Sequence, residues 1–194
     1  STARRLLLLN RTFYNRFARE FSESRRVLQP GILRALRDLG QYESLLDLGC
    51  GDGRLLTETR DPSACKSYLG VDDSSELLSL ATATATALPR TTFVHSDLSS
   101  AGWSHGLERS FDVGTCFSVL HHIPGPRRRL RVLSEMCSLL RPGARCAVSV
   151  WQFRHVPRLQ EKIVAWEEIG LDADEVDRGD HLLDWKRGGR GLRY

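Results

Sequence analysis

The stretch Ser44–Leu56, SLLDLGCGDGRLL, leaves this chain few alternatives. An apolar run ends in Asp47, turns through Gly49, Cys50, Gly51, Asp52 and Gly53, and gives way at Arg54 to a helical pattern. A buried strand that meets a tight turn and then a helix N-terminus makes a ligand loop. Free N–H groups face the bound molecule, and glycine admits positive φ and close backbone approach. The third glycine, Gly53, comes one place earlier than the GxGxxG dinucleotide fingerprint requires. A carboxylate at the strand end, Asp47, suits a ligand whose near end is cationic and would repel a pyrophosphate. Both features argue against a nicotinamide dehydrogenase.

Further acids recur at the ends of apolar runs. Ser67–Val71 ends in Asp72 and Asp73, about 20 residues past the glycines, where an acid in a doubly wound sheet accepts from ribose hydroxyls. Asp72 fits that role best, and Asp73 could instead cap a helix over Ser74–Leu88. The alternating Ala–Thr run within that helix, Ala81–Ala87, carries no functional signal. Thr91–Val94 reads as a third strand followed by Asp97, which either accepts from an adenine amino group or caps a turn. Phe111–Phe117, the fourth strand, leads into Ser118, His121 and His122, and adjacent histidines at a strand end are candidates for substrate contact. No third ligand lies at metal-binding spacing, so no metal is expected.

The remaining pattern supplies helices and edges. Arg4–Phe21 reads as an amphipathic helix with Leu6, Leu9, Phe13, Phe17 and Phe21 on one face, and a second helix runs from Pro30 to Leu39, closed by Gly40. The polar segment Ser22–Gln29 between them, with Arg25 and Arg26, reads as a flap or a surface linker. Arg127–Leu140 predicts a helix with Leu130, Leu133, Met136, Cys137 and Leu140 inward. A turn at Arg141–Gly143 and a fifth strand at Ala144–Trp151 follow. Beyond these come a helix near Leu159–Ile169, an acidic stretch at Asp172–Asp180 and a basic, glycine-rich end from Lys186 to Tyr194 expected to be mobile.

A length of 194 residues suits one domain with a real core. The net charge of +4 is almost entirely arginine, with lysine only at Lys66, Lys162 and Lys186, which favours anionic partners or reflects genome composition. Five cysteines without a C-x-x-C pair make neither a zinc site nor a disulfide framework and suggest reduced thiols in a cytoplasmic protein. The run Leu6–Leu9 is too short for a membrane span.

In DLGCGDG from Asp47, GVDDS from Gly70, SDL from Ser96, FDVGTCFSVLHH from Phe111 and LLRPGA from Leu139, the chain resembles class I S-adenosylmethionine-dependent methyltransferases. The resemblance implies a Rossmann-like α/β fold: a mostly parallel twisted sheet with helices on both faces, here with the C-terminal hairpin apparently missing, as in a shortened chain. It implies a helical flap over residues 1–40 and a cofactor-binding core over 41–194. It also implies that Asp47, Gly49, Cys50 and Gly51 surround the methionine part of S-adenosylmethionine, Asp72 and Asp73 the ribose, Asp97 and Leu98 the adenine, and Phe117 and Ser118 the methionine end again.

Shorter stretches, FYNRFAREFSESR from Phe13, SVLHHI from Ser118, the D-x-L-L-x-W of Asp180–Trp185 and the final Arg193-Tyr194, look like tRNA wobble carboxymethyluridine methyltransferases. Gln152 departs from that pattern. The likeness implies tRNA and a small activator protein as partners, Arg25 against an anionic substrate group, and His121 or His122 near the reaction centre. The alternatives are a small-molecule methyltransferase of the same fold and a catalytically silent cofactor-binding protein.

Overall fold

The computed structural model describes residues 1–25, 27–58, 65–85, 90–107, 110–152 and 155–194; Arg26, named with the flap, lies outside them. Five strands, β1 (Ser44–Leu48), β2 (Ser67–Asp72), β3 (Thr91–His95), β4 (Phe111–Phe117) and β5 (Leu140–Ser149), form a parallel sheet in the order β3-β2-β1-β4-β5. Strand order reverses between β1 and β4, and open α/β sheets bind ligands outside the carboxyl ends at such a point.

Each central strand is apolar on both faces because both are covered. Leu46, Leu48, Leu69 and Val71 pack with Val132, Met136 and Leu139 of helix α6 (Pro126–Leu139). Leu45 and Tyr68 face the other way, onto Leu39 of α3 (Pro30–Leu39), Leu55 and Leu56 of α4 (Arg54–Glu58) and Leu78 of α5 (Ser75–Thr84). Pro30 and Pro126 stand in the first turns of their helices, where no N–H is needed, and Gly40 closes α3 at φ 65°.

Several expectations are corrected here. In α6 Val132, Met136 and Leu139 are buried, with the expected Leu133 and, just past the helix, Leu140 packed against the same core; of the expected inward residues Leu130 is 69% exposed and Cys137 is exposed. α5 ends at Thr84, and residues 86–88 of the expected helix lie outside the description. Arg141-Pro142-Gly143 does not precede β5 but sits within it as an irregularity, since Phe111 pairs with Leu140 and Val113 with Arg145. The region expected as a helix at Leu159–Ile169 divides into α7 (Pro157–Gln160), strand β6 (Ile163–Val164) and a 3-10 turn at Trp166–Ile169.

The C-terminal hairpin is present. β7 (Leu182–Trp185) and β8 (Gly191–Arg193) pair antiparallel and, with β6, make a second sheet. The expected mobile end is therefore ordered, with Arg193 and Tyr194 buried. What holds it is α1 (Thr2–Arg16), whose Leu6 packs with Leu182 and Tyr194 while Phe13 and Phe17 enclose Trp185. Each such large apolar side chain contributes roughly 1.5–3 kcal/mol of burial. Phe17, at φ −111° and ψ 25°, interrupts the expected single helix, and α2 (Ala18–Glu23) follows it.

Gly191 sits where a Cβ would strike the ring of Phe17. Gly191→Ala is expected to lower stability by about 1–3 kcal/mol in urea melts followed by tryptophan fluorescence. Combined with Phe17→Leu, it should cost less than the sum of the two single changes.

Candidate functional site

The carboxyl ends of β1, β2 and β4 and the turn after β3 open on one cavity of about 250 Å³. Asp47, Gly49, Cys50, Gly51, Asp72, Asp73, Asp97, Leu98, Phe117, Ser118, His122 and Arg25 all line it. His121 is not among the lining residues. The glycine loop is fixed from beneath: the N–H groups of Gly49 and Cys50 donate to the Val71 carbonyl at 2.7 and 3.2 Å, and that of Gly51 to Asp72 Oδ2 at 2.9 Å. Not every glycine makes room for a ligand. A Cβ at Gly49 would collide with Val119, and one at Gly53 would press on Ala81 and Phe93; at Gly51 the nearest atom would be 3.9 Å away. All three have positive φ.

Two carboxylates here resist ionisation. Burial raises Asp47 to about 6, against hydrogen bonds from the Tyr68 and Thr115 hydroxyls, both at 2.8 Å. Burial likewise raises Asp72 to about 6, against the backbone N–H groups of Ser74 and Gly51. Asp73 does not cap α5; the Ser74 hydroxyl does, accepting from Leu77 N–H. Asp73 pairs instead with Arg11 Nε at 2.8 Å, and Arg11 Nη2 reaches Asp97 at 3.1 Å. Asp97 is opposed by burial, but hydrogen bonds from Ser99 and the Arg11 charge leave it below its ordinary value.

The N-terminal segment forms the opposite wall, with Arg11, Tyr14, Phe21, Arg25, Val27, Leu28 and Gln29 on the cavity. Ser22 ties it to the glycine loop through a 2.5 Å hydrogen bond to Asp52. The expected flap therefore lies against the crevice.

The histidines are not equivalent. His122 Nδ1 lies 2.5 Å from the Tyr194 carbonyl, an acceptor only, so Nδ1 carries the proton and Nε2 accepts from the Tyr14 hydroxyl at 2.9 Å. Burial, then the positive charge of Arg193, pushes His122 down to about 3, so it stays neutral with its lone pair engaged. His121 stacks on Trp151 at 4.5 Å with both ring nitrogens buried and without a hydrogen-bond partner among the described residues, and burial pushes it far down. Of the two histidines, His122 is the one that lines the cavity. Sequence reasoning gave no role to Arg11, Tyr14 or Trp151; Tyr14 lies within the stretch FYNRFAREFSESR, and Arg11 has no linear signal beyond its place on the same helix.

Residues 46–146 match the family described as "Methyltransferase domain". The chain belongs to that family. It is a methyltransferase domain whose cofactor is S-adenosylmethionine. It is also similar to the tRNA (carboxymethyluridine(34)-5-O)-methyltransferase ALKBH8 of Mus musculus, 28% identical over 176 residues, which are 84% of this chain and 23% of that protein. The chain thus spans less than a quarter of that relative's length. Among solved structures, the DhpI-SAH complex has a TM-score of 0.55 at 21% identity and covers 74% of this chain and 67% of that one. A Haloferax volcanii methyltransferase in complex with the Trm112 methyltransferase activator has a TM-score of 0.53 at 22% identity, over 71% and 59%. These two are likenesses of fold.

The donor set of the methyltransferase domain fits its cofactor: buried carboxylates face a ligand with cationic and hydroxyl groups, beside open backbone at Gly51 and apolar Leu77 and Leu98. Among the described residues, no cluster of three His, Cys, Asp or Glu side chains is placed to hold a metal ion, and no helix is long and apolar enough to cross a membrane.

Asp47 binds its proton more tightly folded than unfolded, so its contribution to stability falls as pH rises from about 4 toward 6. From pH 7 to 5 the ligand-free protein should gain about 1 kcal/mol relative to Asp47→Asn, measured by urea unfolding at each pH. Gly49→Ala should cost about 2 kcal/mol or more through strain and overlap, with partial recovery in Gly49→Ala/Val119→Ala.

Proposed function

We propose that this methyltransferase domain esterifies a carboxymethyl group on a wobble uridine of tRNA. In this reading Asp47, Gly49, Cys50 and Gly51 hold the methionine part of the cofactor, with Phe117 and Ser118 closing its end. Asp72 and Asp73 take the ribose hydroxyls, and Asp97 and Leu98 the adenine. Arg25 holds an anionic group of the acceptor, and His122 orients it, with His121 stacked behind.

The observation that carries the reading is a guanidinium on the crevice wall beside a His122 whose lone pair is already engaged by Tyr14, so that this histidine is not free to act as a base. When bound, S-adenosylmethionine supplies a methyl already activated on a sulfonium. A carboxylate acceptor, with a pKa near about 4, is ionised at neutral pH and needs no base. The protein's part is then alignment and exclusion of water: Arg25 holds the acceptor, and the Phe117, Trp151 and His122 side chains fix its approach to within about 3 Å of the methyl. Similarity to the mouse tRNA methyltransferase supports the substrate class, and the Haloferax complex supports a small activator protein as a partner.

The test is incubation of total tRNA and of carboxymethyluridine-bearing tRNA with labelled cofactor, with and without such an activator, followed by nucleoside analysis. A base-labile methyl ester on that nucleoside is expected, with turnover reduced about 100-fold by Arg25→Ala and about tenfold by His122→Ala. The KM for tRNA should rise steeply with salt. Label that enters small metabolites but no tRNA would overturn the substrate assignment, and cofactor binding without transfer to either would overturn the activity. Because Asp47 and Asp72 are half-neutral near pH 6, affinity for S-adenosylmethionine should fall between pH 7.5 and 5 by about tenfold per carboxylate, measured calorimetrically.

A further inference from the structure

Arg193 is a buried charge without an acid. It is 2% exposed, and among the described residues no carboxylate pairs with it. Its guanidinium lies 4.8 Å from the ring centre of Trp151, 5.3 Å from Phe13 and 5.5 Å from Trp185. Nη1 donates to the Tyr14 hydroxyl at 3.2 Å, and Nε is buried with no hydrogen-bond partner among the described residues. Arginine does not shed its charge, and aromatic faces offset only part of the cost of removing it from water.

A second guanidinium shares the same indole. Arg25 lies 5.9 Å from the Trp151 ring centre and 5.5 Å from that of Phe21, again with no acid paired to it among the described residues. Burial, then the charge of Arg193, pushes Arg25 below its ordinary value. Lys162 is pushed down by burial and by the charges of Arg193 and Arg25. Positive charge from two separate parts of the chain, Arg25 and Arg193, is therefore gathered around the Trp151 ring at one wall of the crevice. Tyr14, Phe21, Arg25 and Trp151 line the cavity there, and Arg193 stands directly behind them.

We propose that Arg193 is a specificity-determining residue: with Arg25 and the Trp151 face it forms a subsite for a planar carboxylate on the methyl acceptor. The inference rests on the methyl-transfer reading above and adds the group that selects an anion over its neutral analogue. Arg25 contacts the carboxylate, whose plane matches a guanidinium fork. Arg193 is a positioning residue. It adds a second positive charge from a site too dry for water to screen it, and it holds the Tyr14 hydroxyl that in turn holds His122.

The test compares wild type with Arg193→Met, which keeps a long side chain among the rings, and Arg193→Lys, which keeps the charge. With S-adenosylhomocysteine bound, each is titrated with 5-carboxymethyluridine, its neutral carboxamide and acetate, read by tryptophan fluorescence. Wild type should prefer the carboxylate over the carboxamide at least tenfold. Arg193→Met should lose that preference with carboxamide affinity and S-adenosylhomocysteine affinity unchanged within twofold, and Arg193→Lys should recover part of it. A purely structural role would weaken all ligands together, and either that result or an undiminished preference in Arg193→Met overturns the proposal. If Arg193→Met does not fold, Arg25→Met decides in the same way: loss of the preference supports the subsite and its retention overturns it. Arg193-dependent carboxylate binding without methylation of any tRNA would leave the subsite standing and remove the tRNA assignment. Normal methylation of carboxymethyluridine tRNA by Arg193→Met would do the reverse.

Discussion

Buried carboxylates at the ends of parallel strands are the constraint around which this protein is built. Asp47 is buried and Asp72 half-buried, and desolvation outweighs the hydrogen bonds that Tyr68, Thr115, Gly51 and Ser74 donate to them. A domain that keeps such groups stores unfavourable electrostatic energy at one edge of its sheet. A cationic, hydroxyl-bearing ligand relieves it. The same geometry explains the rigidity of the glycine loop, since the Asp72 carboxylate and the Val71 carbonyl anchor its N–H groups.

Opposite these acids the chain places arginines, one group paired with acids and another gathered on aromatic faces. Arg11 bridges Asp73 and Asp97 at the strand ends, while Arg25 and Arg193 gather on Trp151. Acids and arginines in one cavity suit a reaction between a cationic donor and an anionic acceptor. No proton-transfer group is needed between them, and the structure offers none at His122, which is locked neutral between Tyr14 and the Tyr194 carbonyl.

The N- and C-terminal parts of the chain depend on each other. Asn10 donates to the His122 carbonyl and accepts from Tyr194 N–H, so one side chain of α1 ties the histidine turn to the residue after β8. Phe13 and Phe17 close over Trp185, and Gly191 admits them. Through these contacts the first helix, which lines the site, is braced by the last strand, and a change in either is felt at His122.

The sequence by itself determined the parallel sheet, its strand ends and the acids upon them. Each of these follows from a short window: an unbroken apolar run, a glycine turn and a carboxylate at fixed spacing. The amphipathic face Leu6, Phe13 and Phe17 was equally legible, but the surface it covers was not, because β7 and β8 lie more than 160 residues away in the chain. For the same reason the C-terminal hairpin read as a mobile tail: β8 is only Gly191–Arg193, and its order comes from α1 rather than from any pattern of its own. The face of α6 and the division between a lining His122 and a stacked His121 were likewise settled by tertiary packing, since neighbouring residues with identical chemistry carry no linear mark of which one will be turned toward the crevice.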